Sequence, residues 1–175
     1  ENILLLNEYR QAFRNGFLTL DTSYTQGYKN TSSKKTGGSR NHIFADLDFI
    51  FNESESSESN LHLKIQRTSN DNYFKKHDIN TSLVDSENTN LENEIRYSFS
   101  NNNMYFDLAA TAYENLNQDK KSDKYEYILP NIMYGKTFFT EKFGTLNFAS
   151  NVLYNKFEKN KNKTFLTNDL VWRPS

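Results

Sequence analysis

Apolar and polar residues alternate along most of this chain, which is the two-residue period of a β-strand with one dry and one wet side. Between residues 3 and 13 the apolar Ile3, Leu5, Tyr9 and Phe13 fall on odd positions, against Glu8 and Arg10. Leu18, Leu20, Tyr24 and Tyr28 then alternate with Thr19, Asp21, Ser23 and Thr25. Ile43, Ala45, Leu47, Phe49 and Phe51 oppose Asp46 and Asp48, and Leu61, Leu63 and Ile65 oppose His62, Lys64 and Gln66. Leu91, Ile95, Tyr97 and Phe99 oppose Glu92, Glu94, Arg96 and Ser98. Met104, Phe106, Leu108, Ala110 and Ala112 oppose Asp107 and Thr111. Residues 125–139, 145–157 and 165–172 continue the pattern, the first less cleanly. No run fits a 3.6-residue helical period as well. The pattern predicts nine strands and an all-β chain.

The segments between these strands cover residues 14–16, 29–40, 53–59, 68–90, 101–103, 117–124, 140–144 and 159–163. Their lengths of 3, 12, 7, 23, 3, 8, 5 and 5 residues place each odd-numbered connection at or below the length of the next. Short turns at one end and long loops at the other are the signature of an outer-membrane barrel. Asn15-Gly16 is a strong hairpin signal. Pro130 lies within the seventh run and removes a ladder donor, so it predicts a bulge, or a strand that begins after it.

Composition sharpens this picture. Aromatics make up 15% of the chain although mean hydropathy is -0.86. A water-soluble core draws more on aliphatic residues, whereas a barrel in a membrane shows aromatics to lipid and polar groups to its lumen. The expected fold is therefore an antiparallel up-and-down transmembrane β-barrel. Nine strands are an odd number for closure, so an open, curved sheet is a further expectation. With 21 basic and 22 acidic residues, the chain lacks the positive face a nucleic-acid binder needs. Cysteine is absent, which removes disulfides, thiolate metal sites and cysteine nucleophiles. No stretch approaches the roughly 20 apolar residues of a membrane helix. Both ends, Glu1 and Ser175, read as cuts, so residues 1–175 are expected to be a portion of a barrel domain truncated at each end.

No catalytic, cofactor or metal constellation stands out. His42, His62 and His77 are isolated in sequence, and a lone histidine on a polar strand face is far more often structural than a ligand. Asp46 and Asp48 share one strand face and could serve a cation, but a solvated strand gives the same pattern. The lysine pairs and the glutamates near residue 55 read as solvated loops, and Gly37-Gly38 as loop flexibility. The candidate lumen-lining residues are Asp46, Asp48, Lys64, Glu94, Arg96 and Asp107.

Four ordered stretches resemble the barrel region of the LptD family of lipopolysaccharide-assembly proteins. They are Asn7-Glu8-Tyr9-Arg10 with Asn15-Gly16, Arg40-Asn41-His42-Ile43-Phe44, Ser69-Asn70-Asp71-Asn72-Tyr73-Phe74, and Tyr127-Ile128-Leu129-Pro130-Asn131-Ile132. The second has Asn41 where the family commonly has glycine. The resemblance implies a large barrel in a Gram-negative outer membrane that inserts lipopolysaccharide into the outer leaflet, with residues 1–175 as an N-terminal portion of the barrel domain. It also implies a plug lipoprotein like LptE, a periplasmic bridge like LptA, no cofactor and no enzyme activity. Two rival readings remain. A general porin or adhesin barrel would show a constriction loop folded into the lumen, and a soluble carbohydrate-binding sandwich would show two stacked sheets.

Overall fold

The computed structural model describes residues 3–31, 34–77, 79–85, 87–118, 120–157 and 161–175. Nine strands follow one another: β1 (Leu4–Phe13), β2 (Gly16–Thr31), β3 (Lys34–Glu53), β4 (Ser57–Thr68), β5 (Asn90–Asn101), β6 (Met104–Asn115), β7 (Tyr125–Thr140), β8 (Gly144–Phe157) and β9 (Lys161–Arg173). They form a single antiparallel sheet in sequence order, so every strand pairs only with its chain neighbours, and β1 and β9 remain open edges. Two short helices sit in connections, α1 (Tyr73–His77) and α2 (Lys121–Lys124). Among the described residues no helix is long and apolar enough to cross a membrane, so any crossing falls to strands. The described residues form one sheet with no second sheet stacked on it, which excludes the sandwich reading.

The strands outgrow their expected bounds at one end of the sheet. The segment 29–40, expected as a loop, is mostly strand: β2 and β3 run 16 and 20 residues, paired as far as Thr31↔Lys34. No proline interrupts the ladder there, and two extended polar arms in register simply continue the hairpin. Gly37 and Gly38 consequently lie inside β3, paired with Tyr28 and Gly27 rather than in a flexible loop. A span of about 9–11 residues crosses a bilayer, so this hairpin projects well past one. The expected loop 159–163 is also partly strand, because β9 starts at Lys161. The remaining connections keep the contrast: 54–56 is followed by 69–89, and 102–103 by 116–124.

The sheet is inverted relative to a water-soluble protein. Paired residues share a face, and the face carrying Asp21, His42, Lys64, Glu94 and Asp107 is the crowded one. There Thr19, Asp21, Ser23, Thr25, His42, Gln66 and Thr111 are all buried. The opposite face carries large apolar groups in the open: Ile3, Leu5, Tyr9, Tyr24, Ile43, Ile95, Leu108, Leu166, Leu170 and Trp172 are each at least 39% exposed. Leu6, Phe17, Tyr105, Phe139, Phe165 and Val171 break the rule by standing exposed on the polar side. A sheet that crowds its polar side chains and splays its apolar ones curls toward the polar face.

One unbroken row of partners crosses the apolar face: Phe13↔Gly16↔Phe49↔Leu61↔Tyr97↔Leu108↔Ile132↔Val152↔Leu166. It begins at the last residue of β1 and ends near the middle of β9. Across such a row aliphatic and aromatic cross-strand pairs each add roughly 0.2–1 kcal/mol.

Pro130 is accommodated as a bulge within β7. The register slips between Ile128 and Asn131 against β8, and between Ala109 and Thr111 against β6, so both ladders step over the same point. The Leu129–Pro130 peptide bond is cis. At two turns glycine is required. A Cβ on Gly16 would lie 2.2 Å from the Asp48 carbonyl oxygen, and Gly144 has φ +82°, a left-handed conformation. Gly135 serves a different need: a Cβ there would strike the Tyr105 ring, which lies across β7 in its place.

Candidate functional site on the polar face

Alternation along β3 to β6 aims every second side chain at the polar face, and the register sets them in rows. Asp46, Lys64 and Glu94 occupy one row, and Asp48, His62 and Arg96 the next. Asp107 follows one step further, opposite Ser98. All six expected residues therefore share one face. Arg96 grips Glu94 with two nitrogens at 3.1 and 3.2 Å and reaches Asp107 at 3.7 Å. Ser98 donates to Asp107 at 2.7 Å, and Thr111 to Glu94 at 3.1 Å. Glu94, Arg96 and Asp107 thus form one connected group, in which two-point contact fixes the guanidinium plane.

The other three do not join it. Lys64 lies opposite Asp46 but turns to Glu92, with Nζ 2.5 Å from Oε2, and Tyr113 donates to the other Glu92 oxygen at 3.2 Å. Asp48 pairs with His62 at 2.8 Å. Asp46, Asp48 and His62 bring ligand atoms within 4.8 Å of one another, and the Asp48–His62 hydrogen bond accounts for much of that closeness. Five carboxylates (Asp46, Asp48, Glu92, Glu94, Asp107) face two cations (Lys64, Arg96). The wall is acidic, and rich in acceptors for hydroxyl and amide donors.

A second polar group was not assembled by the sequence reading. Ser23 Oγ and His42 Nδ1 are 2.6 Å apart, and His42 Nε2 lies 3.2 Å from Asp21 Oδ1. These are the residue types of a hydrolytic triad. The His42 side chain, however, is 0% exposed, and the Tyr73 hydroxyl sits 2.6 Å from Ser23 Oγ, where a substrate would have to enter. A nucleophile so covered has no access, and the group is structural. His42 also stacks on Phe44 at 4.4 Å.

Tyr73 reaches Ser23 because the connection 69–89 folds back onto the polar face. Its apolar residues Tyr73, Ile79 and Val84 bury against Phe44 and Leu91, the most enclosed cluster of the described residues. The two sequence stretches 40–44 and 69–74 meet here. Asn41 and Ser69 exchange hydrogen bonds at 2.9 Å, His42 and Tyr73 share Ser23, and Asp71 accepts from Lys124. Lys124 also reaches Glu114 at 3.0 Å. Burial opposes its charge, but these two carboxylates outweigh that and hold its pKa above the ordinary lysine value.

The family model described as LptD, LPS transport system D, matches residues 38–166. The match covers β3 from Gly38 onward, β4 to β8 whole, the inward-folded connection, and the acidic wall. No curated protein and no solved structure matches the chain. With about three-quarters of its length matched and its strands laid out as an inverted up-and-down sheet, the chain belongs to the LptD family as a stretch of that family's outer-membrane β-barrel.

Proposed function

We propose that this chain is an N-terminal part of the wall of an outer-membrane barrel that delivers lipopolysaccharide to the outer leaflet. The observation that carries this reading is the inversion of the sheet, with polar residues crowded on one face and Leu108, Leu166 and Trp172 in the open on the other. An apolar outer face meets hydrocarbon while continuous ladders pair most backbone groups between the two edges. The polar face lines a wet lumen, where Asp46, Asp48, Lys64, Glu94, Arg96 and Asp107 offer hydrogen bonds to sugar hydroxyls. The acyl chains leave sideways between weakly paired strands. No covalent step is asked of these residues. The short turns face the periplasm, where an LptA-like bridge delivers substrate, and an LptE-like lipoprotein plugs the lumen. The connections 69–89 and 116–124 face outward.

Reversing Arg96 (Arg96→Glu) tests the wall in the full-length protein. Glu94 and Asp107 would then face a third carboxylate, and surface lipopolysaccharide is expected to fall several-fold. Heat-shifted gel migration should still report a folded barrel. A folded barrel with undiminished surface lipopolysaccharide counts against a role for this wall in transport.

A solute channel is the second reading, and one observation favours it: the connection 69–89 lies on the polar face as a constriction loop would. The family match spans that same connection, which supports the lipopolysaccharide route over a general pore.

A further inference from the structure

We propose that residues 69–89 are a hinged closure over the outer end of the polar face, and that their docking seals a gap in the wall between β4 and β5. This rests on the barrel-wall reading above. β4 runs to Thr68 and β5 starts at Asn90, yet their ladder stops at Lys64↔Glu94. About four residues on each arm therefore lack ladder partners across this seam, and backbone groups left this way in a wall must be satisfied otherwise. Gln66 supplies the substitute. Its backbone N–H donates to Asn93 Oδ1 at 3.0 Å, and its Oε1 accepts from the Glu92 N–H at 2.8 Å. Its Nε2 donates to the Leu83 carbonyl at 3.1 Å, so one buried side chain ties β4, β5 and the strap together. A cavity of about 420 Å³ already lies at the seam, lined by Gln66, Arg67, Asn93, Tyr113, Lys124 and Tyr127 among others.

The strap is built to move as a unit. Its ends are pinned: Ser69 N–H donates to the Asn41 carbonyl at 2.9 Å, and Leu116 N–H to the Thr89 carbonyl at 2.7 Å. Between them, among the described residues, it is held by a handful of features: the Tyr73–Ser23–His42–Asp21 chain, the Gln66–Leu83 bond, the Asp71–Lys124 pair, a long Arg10–Ser82 hydrogen bond at 3.5 Å, and the cluster around Phe44. Docking also leaves His77 Nε2 buried without a partner, a polar group that water would satisfy in the open position. A segment with pinned ends, a small apolar anchor and an unpaid polar group opens at lower cost than the sheet beneath it.

The test uses the full-length protein reconstituted in bilayers, with Tyr73→Phe, which keeps the ring and deletes the latch hydroxyl, and Gln66→Ala, which deletes the key. Hydrogen exchange of residues 70–85 should rise at least tenfold in each variant while β6–β8 stay protected. Planar-bilayer conductance should rise with it. The closure is overturned if the native strap exchanges as fast as a free peptide, or if both variants insert normally with strap exchange and conductance unchanged. Failure of the native protein to insert, with unprotected strands, would instead remove the barrel-wall reading and this inference together.

Discussion

Replacing Leu108 by arginine is expected to lower the stability of the bilayer-embedded protein by about 2–4 kcal/mol, the cost of a cation on the lipid side near the bilayer midplane. Leu108 sits in the middle of β6, flanked by Tyr97 and Ile132, 39% exposed on the apolar face. The guanidinium there has no carboxylate partner within the row, since its neighbours on both strands are apolar. Asn151→Arg is the control, because Asn151 is exposed on the polar face between Met133 and Thr167. There the same cation stays hydrated, and a change within about 0.5 kcal/mol is expected. Denaturant unfolding from lipid vesicles measures both. Equal tolerance at the two positions would show that the apolar face does not meet hydrocarbon.

Phe44→Ala has a comparable effect confined to one place. Phe44 is 0% exposed, stacks on His42, and forms the floor of the cluster that Tyr73, Ile79 and Val84 cover. Removing a fully buried ring costs about 3–5 kcal/mol, transfer and cavity together. Local opening carries that cost, so amides of residues 70–85 are expected to exchange roughly a hundredfold faster or more, at tenfold per 1.4 kcal/mol. The cluster around Phe44 draws no residue from β6–β8, and those ladders should keep their protection. Phe44→Leu should recover most of the loss, because it refills the volume. A uniform rise over the whole sheet would mean that the strap and the strands open together, against the separation drawn here.

Side-chain parity carried most of the fold, because an alternating strand declares its two faces whatever its partners are. The common face of Asp46, Asp48, Lys64, Glu94, Arg96 and Asp107 follows from it directly, while the Pro130 bulge is one of the two outcomes that its missing ladder donor predicts. The β2–β3 hairpin does not, since a polar run without a breaker reads the same as loop or as hydrated strand. Nor does parity say which neighbour a charge chooses: Lys64 faces Asp46 by register yet bonds Glu92. Gln66 sits on polar parity like any lumen residue, and nothing local announces that it stands in for a missing ladder. The Tyr73–Ser23 contact joins residues 50 apart, and only the folded connection brings them together. In retrospect the resemblance motifs held the signal: the stretches 40–44 and 69–74 are the two halves of one contact.

The long partner row that starts at Phe13 and Gly16 has a geometric consequence. It leaves β1 at its turn end, but reaches β9 at Leu166, about seven residues short of Arg173. If both ends meet the same membrane surface, the row climbs about 23 Å while crossing about 38 Å of sheet, at roughly 3.3 Å per residue and 4.8 Å per strand. The strands then lean by about 30°, close to the 35–45° of closed barrels. Lines of constant depth therefore cut the sheet on a slant. Phe49 and Leu108 share a row but not a depth: one lies near the rim where a charge finds water, the other near the midplane where it cannot.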